Sequence, residues 1–236
     1  MAQLEISSKL DYSSTESYKS LRTNLRFCGE DKKVIAITSC TPGEGKSSVS
    51  LSLAVSLAEA GSNVLLIAAD LRKPASFKNR VKITGQALGL THYLSKQAEL
   101  VDVVCNTNIR RLFMMISGPI PPNPSELLGS KRFAQMIKQL RDVYDYIIID
   151  TPPLGSVIDG AIIAEECDGS IMVIESGVIS YRFAQEVKKQ IEKSNSPIIG
   201  VVLNKVDFSK QTYGKHYGKY YGDYYGNYGG KDKGEK

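Results

Sequence analysis

Apolar residues along the chain fall into short runs, and the polar stretches between them carry helical spacing. Val34–Thr38, Asn63–Ile67, Leu112–Ile116, Tyr146–Asp150, Ser170–Glu175 and Ile198–Leu203 are compact, rich in β-branched residues, and predict buried strands. Glu16–Phe27 places Tyr18, Leu21 and Leu25 at helical spacing, and Gly29 ends it. Ser47–Ala60 reads as a helix stopped by Gly61. Ser130–Val143 sets Phe133, Met136, Ile137 and Leu140 on one face, and Tyr181–Lys193 separates the last two strands. Gln97–Val104 also reads as helix, whereas Leu71–Leu90 is polar and reads as loop with weak helix. Ser117–Pro124 holds four prolines in eight residues and predicts a fixed loop.

Strand–helix alternation implies βαβ units with right-handed crossovers. The expected fold is α/β: a mostly parallel sheet flanked by helices on both faces, with ligands beyond the carboxyl ends of its strands. The pattern stops at Thr212. From there to Gly230 the chain repeats Tyr-Gly-x, with no aliphatic residue, so it cannot build a core and is expected to be disordered. Three regions follow: residues 1–30 with the first helix, a nucleotide-binding body over 31–209, and a tyrosine-rich tail over 210–236. On composition alone the tail suits phosphorylation and sticky self-association equally.

Charge adds little. The net charge is +5, of which the tail supplies +3 through six Lys against three acids. The body is too weakly basic to argue for nucleic acid. Four scattered cysteines without a CxxC pair, and two histidines, argue against a zinc site or a disulfide framework and fit a reducing cytosol. The N-terminus lacks the apolar segment of a signal peptide, and no run reaches about 18 apolar residues. Any work at a membrane would need another protein to hold the chain there.

The chemistry gathers at the strand ends. Cys40-Thr-Pro-Gly-Glu-Gly-Lys-Ser-Ser48 joins the first of these strands to its helix. Gly43 and Gly45 let backbone N–H groups approach phosphate oxygens. Lys46 reaches the β and γ phosphates, Ser47 ligates Mg²⁺, and the helix N-terminus favours the negative charge. Thr41, Pro42, Glu44 and Ser48 complete the expected ATP-binding loop. Cys40 stands where the strict motif has Gly. Asp150 ends an apolar strand, where a carboxylate can hold Mg²⁺ through water. Asp70 follows the second strand toward the same face, and Arg72 and Lys73 beside it can offset phosphate charge. Asn204 follows the last strand and can hydrogen-bond a purine. Asn204-Lys-Val-Asp207 spells the guanine-reading pattern of GTPases, but Asp150-Thr-Pro-Pro153 lacks the Asp-x-x-Gly expected with it.

PGEGKS, LLIAADLRKP, SGPIPPNPSELL, YDYIIIDTPP and the tyrosine-rich tail occur together in this chain. The combination resembles the bacterial tyrosine kinases of capsular and exopolysaccharide synthesis, in their cytoplasmic stand-alone form. The resemblance spans essentially the whole chain. It implies the P-loop fold shared with division-site and partition ATPases, although those carry an extra Lys where this chain has Thr41. It implies ATP and Mg²⁺ as cofactors, with Lys46, Asp70, Asp150 and Arg72 in the catalytic set and Ser47, Asp70 and Asp150 around the metal. Tyr213, Tyr217, Tyr220, Tyr221, Tyr224, Tyr225 and Tyr228 are then phosphoacceptors, modified in trans by a neighbouring subunit. Glu16, Lys19 and Arg22 match a helix motif used for ring-shaped homo-oligomers. Further implied partners are a transmembrane adaptor of the polysaccharide co-polymerase type, which recruits the protein to the inner face of the plasma membrane, and a tyrosine phosphatase.

One position departs from that family. Its Asp-x-Asp motif reads Ala68-Ala-Asp70 here, so the carboxylate that assists Mg²⁺ and takes the tyrosine proton is missing. Three readings stand: an introduced inactivating change, which is favoured; weak natural activity through Asp70 and Asp150; or a nucleotide-dependent assembly switch with little kinase activity.

Overall fold

The computed structural model describes residues 3–7, 11–74, 77 and 79–207. The tail tyrosines, including Tyr213 and Tyr228, lie outside the described residues. The chain divides into Met1–Asn204, whose fold follows, and Lys205–Lys236, of which only residues 205–207 are described.

Nine strands form one sheet in the order β4-β1-β5-β6-β3-β7-β2-β8-β9. The six expected runs are β2 (Val34–Ser39), β3 (Val64–Ala68), β6 (Leu112–Met115), β7 (Tyr146–Asp150), β8 (Gly169–Glu175) and β9 (Ile198–Asn204). All six run parallel to their neighbours in this set. Their side chains alternate between two cores: Ile35, Ile37, Leu66 and Ile148 face one, and Val34, Leu65, Ile67, Ile147 and Ile149 face the other. Burial on both faces is why the inner strands read as continuous apolar runs; β9, expected to be buried, is instead a partly exposed edge strand with Val201 and Leu203 open on one side.

The helices α1 (Tyr12–Phe27) and α2 (Lys46–Glu59) cover the first core. The second is covered mainly by α3 (Leu90–Leu94), α5 (Pro124–Leu128), α6 (Lys131–Arg141) and α7 (Asp159–Ala164), with α4 (Leu100–Val103) contributing Val103. A third, smaller cluster packs Ala184, Val187 and Ile191 of α8 (Tyr181–Glu192) against Met172, Leu154 and Cys40.

The structure differs from the sequence expectation in several places, among them the short helices α3, α5 and α7, which no expected element covers. Leu71–Leu90, expected as loop, contains the strand β4 (Val81–Thr84). It pairs antiparallel with β1 (Gln3–Ile6), and β1 pairs in turn with the three-residue β5 (Cys105–Thr107). These strands are three or four residues long, too short for a periodicity to register. Helix α1 begins four residues earlier than its apolar spacing indicates, because the Asp11 carboxylate accepts from Ser14 N at 2.7 Å and caps it. Finally, the helix expected over Gln97–Val104 is only the single turn of α4.

Glu16 and Lys19 form an exposed ion pair along α1 at 2.7 Å. Arg22 points inward instead and donates to the carbonyl of Ser56 at 2.7 Å, satisfying a last-turn carbonyl of α2. Among the described residues, no helix is long and apolar enough to cross a membrane.

Leu4 is fully buried in the first core, so the amino-terminal strand carries packing energy. Leu4→Ala is expected to cost about 2–5 kcal/mol in urea unfolding, the usual range for a buried leucine. A loss near zero would mean that β1 is not docked on the sheet in solution.

Candidate functional site

The carboxyl ends of β2, β3 and β7 meet at one place. From β2 the chain turns through Cys40–Gly45 into α2. Gly45 is the N-cap residue, with φ 91°, and no side chain caps the helix. Among the described residues no side chain caps the first-turn N–H groups of α2, which suits them to an anion. Left-handed φ values at Gly43 and Gly45 favour glycine. At Gly45 space also demands it, since a Cβ would collide with the amide of Asn204.

The loop is braced from below. The Glu44 side chain is almost fully buried and accepts from both the backbone N and the hydroxyl of Thr41. Its other oxygen accepts from Glu175 N, at 3.0 Å, on β8. Asn204 Nδ2 donates to the Glu44 carbonyl at 2.9 Å. Both residues, expected beside nucleotide, also hold the loop in shape, Asn204 through one of its two amide N–H groups. Cys40 packs in the third core, and burial, followed by the nearby Glu44 charge, pushes its thiol up to about 11. It acts as an inert filler where the motif has glycine. Gly155 allows this packing, since a Cβ there would strike the Cys40 carbonyl.

Three ionisable side chains converge beside the helix start. Asp150, at the tip of β7, is fully buried. It accepts from Ser47 Oγ at 2.7 Å and from Ser50 Oγ at 3.1 Å. Burial raises its pKa, against the pull of Lys46 and the two serines, and Asp70 pushes it the same way as burial. Lys46 Nζ lies 3.7 Å from Asp70 and 3.4 Å from Ser47 Oγ. Asp70 is nearly buried and closes its own turn by accepting from the backbone N of Arg72 and Lys73, at 3.2 and 3.0 Å.

Arg72 does not join this group. Its Nε and Nη2 form a two-pronged ion pair with Asp159 at 2.7 and 3.1 Å, and Nη2 also donates to Ser125 at 3.0 Å. Burial would raise the Asp159 carboxyl, but the Arg72 and Ser125 hydrogen bonds outweigh it and hold it below the usual carboxylate range. Ser50, Ser125 and Asp159 were not singled out by sequence. Ser50 could have been, because it lies one helical turn beyond Ser47 on the same face. Asp159 carries no local signal, since its partner is 87 residues away.

Ala68 ends β3 directly opposite Asp150 in register. It lines a cavity of about 300 Å³ with Met114, Ile116, His92 and Ser117 among its walls. Hard oxygen donors, Ser47 Oγ with the Asp150 and Asp70 carboxylates, fit Mg²⁺, which typically takes one or two carboxylates and completes its shell with phosphates and water. Among the described residues no cluster of three or more His, Cys, Asp or Glu side chains forms a cage for a metal. A nucleotide-linked ion, rather than a resident one, suits this donor set.

Comparison with known proteins agrees with this geometry. The family described as an AAA domain matches residues 32–199. The chain is similar to tyrosine-protein kinase CpsD of Streptococcus agalactiae, 48% identical over 219 residues that cover 92% of this chain and 95% of the relative. Tyrosine-protein kinase YwqD of Bacillus subtilis is 39% identical over 203 residues, covering 85% of each chain. Among solved structures, the kinase domain of Escherichia coli tyrosine kinase ETK superposes with a TM-score of 0.74 at 30% identity, covering 83% of this chain and 78% of that one. With a phosphate loop and strand-tip carboxylates in one cluster and near-complete coverage by such relatives, the chain belongs to the bacterial tyrosine-protein kinases.

Proposed function

We propose that the chain binds ATP with Mg²⁺ at the Cys40–Ser48 loop and transfers the γ-phosphoryl to tail tyrosines, Tyr213 to Tyr228, of a neighbouring copy. The observation that carries this reading is the 2.7 Å bond between Ser47 Oγ and the buried Asp150 carboxylate, beside an uncapped helix start. Lys46 and the first-turn N–H groups would hold the β and γ phosphates. Ser47, Asp150 and Asp70 would hold Mg²⁺, which supplies charge neutralisation on the phosphates when bound.

In the transfer, the bond from the γ-phosphorus to the β–γ bridging oxygen breaks, and a bond to the phenol oxygen forms. ADP leaves with the electron pair of the broken bond. The protein's contribution is positioning and electrostatic stabilisation rather than covalent chemistry. The phenol proton has no carboxylate waiting at position 68 and passes to water. Each phosphate adds about −1.5 to −2 charge, so a few would reverse the tail's net +3 and repel neighbouring tails. A reversible switch of homo-oligomeric ring assembly follows, with Glu16 and Lys19 on the exposed side of α1 at the contact and Arg22, bonded to Ser56, holding the helix behind them. Such a switch suits control of capsular or exopolysaccharide synthesis and export. The proposed setting is the cytoplasmic face of the plasma membrane, with a transmembrane adaptor as activator and a tyrosine phosphatase resetting the tail.

Ala68 favours a second reading, a nucleotide-dependent assembly switch with weak hydrolysis. The two readings separate by where phosphate ends up: on protein or in water.

Two outcomes are expected. Ala68→Asp restores a general base at the end of β3 and should raise tail phosphorylation by about 100-fold or more, read by phosphotyrosine mapping with ATP and Mg²⁺. Absence of phosphotyrosine in both forms would remove the kinase reading. Asp150 tests the metal site. Because its folded pKa lies above the ordinary 3.8, the unfolded chain ionises first, and this group's contribution to stability falls as pH rises through the folded value. Without nucleotide and Mg²⁺, Asp150→Asn should therefore melt higher than the parent at pH 7, with the difference shrinking toward acid pH. With ATP and Mg²⁺ the parent should gain melting temperature and the variant should not. A variant that melts lower without ligand, yet still gains from it, would make Asp150 a structural acid.

A further inference from the structure

Asp159 is a fully buried acid beside the site whose partners are neither the phosphate loop nor Lys46. Asp150 faces the helix start, whereas Asp159, the first residue of α7, faces Arg72. Three hydrogen bonds tie them into a closed set: Arg72 Nε to Asp159 Oδ2 at 2.7 Å, Arg72 Nη2 to Asp159 Oδ1 at 3.1 Å, and Ser125 Oγ to Asp159 Oδ1 at 2.6 Å. Arg72 Nη2 closes the ring on Ser125 at 3.0 Å. This is the planar two-pronged geometry that lysine cannot reproduce.

The set joins three segments. Arg72 lies two residues after Asp70, on the turn that follows β3. Asp159 follows Asp150 on the segment leaving β7. Ser125 belongs to α5, after the proline-rich loop. Asp70 accepts from the backbone N of Arg72 itself, so the turn carrying Asp70 cannot shift without shifting Arg72. Asp159 is buried but the Arg72 side chain is 41% exposed, and a partly exposed ion pair is a weak source of stability. Its geometric consequence is specific, however. It fixes the turn bearing one metal-sharing carboxylate to the segment leaving the other.

We infer that Asp159 and Ser125 are positioning residues for Asp70, acting through the Arg72 guanidinium, and that they set the protein's affinity for the Mg²⁺ that accompanies ATP. The inference rests on the proposed sharing of Mg²⁺ by Asp70 and Asp150. Neither Asp159 nor Ser125 touches nucleotide in this account. Arg72 is thereby moved from the catalytic set to the supporting frame.

The test uses the full chain and measures ATP binding by calorimetry across a Mg²⁺ titration, starting from EDTA. Asp159→Asn is expected to raise the Mg²⁺ midpoint about tenfold, the usual effect of losing a supporting partner of a metal ligand. Its ATP affinity in EDTA should stay within about twofold of the parent, because the phosphate loop is untouched. Ser125→Ala should shift the midpoint in the same direction by about threefold. Arg72→Ala should match Asp159→Asn, and the double variant should be no worse than either, as expected for residues acting through one contact. A merely structural pair would lower the melting temperature and leave the midpoint unmoved, which would overturn the inference. Should Asp159→Asn fail to fold, an unmoved midpoint in Ser125→Ala overturns it equally. If the parent itself binds ATP with no dependence on Mg²⁺, the inference falls together with the reading beneath it. A Mg²⁺-dependent parent with a parent-like Asp159→Asn would sink the inference alone.

Discussion

A helix that starts on a glycine leaves its first N–H groups without side-chain partners, and the rest of this site is arranged around that deficit. Gly45 begins α2 with no side-chain cap. An anion is the natural complement. The surrounding protein keeps this position open. Glu44 turns its carboxylate downward to Thr41 and Glu175, away from the helix start. Asn204 braces the loop's carbonyl from β9. Lys46 and Asp70 sit within 3.7 Å of each other, and Asp150 takes the Ser47 hydroxyl. The fold supplies this by placing β3, β7 and β2 side by side, so that two strand-tip acids flank one phosphate loop.

Much of this was legible in the chain because the central strands are buried on both faces. Six apolar runs announced six strands, and each forms close to its expected bounds. The outer strands were hidden for physical reasons. β1, β4 and β5 are three or four residues long, and their stability comes from pairing with one another across long sequence separations. A local pattern cannot carry that information. The phosphate loop, with its glycines, lysine and serine, is a contiguous motif and therefore readable. The downward turn of Glu44, the engagement of Asn204 and the capture of Arg72 by Asp159 all depend on residues brought together by folding.

Position 68 is where the chain departs from the Asp-x-Asp motif that its resemblance implies. Alanine there leaves the loop, Ser47, Asp70 and Asp150 in contact, so the nucleotide-holding part of the site is separable from the proton-accepting part. The nearby cavity of about 300 Å³ shows that the missing carboxylate is not replaced by another acid among its lining residues. In the proposed function, binding and transfer are thus separable: the loop and its braces serve binding, whereas the tail's tyrosines serve transfer and its charge serves assembly.

The central claim is that backbone amides and Lys46 at the start of α2 hold the terminal phosphates of a nucleotide. Calorimetry of Mg²⁺-ATP with Lys46→Met tests it most directly. The loss of a charge-assisted contact, roughly 1.5–3 kcal/mol, should weaken binding by about tenfold or more. Affinity equal to that of the parent would contradict the account.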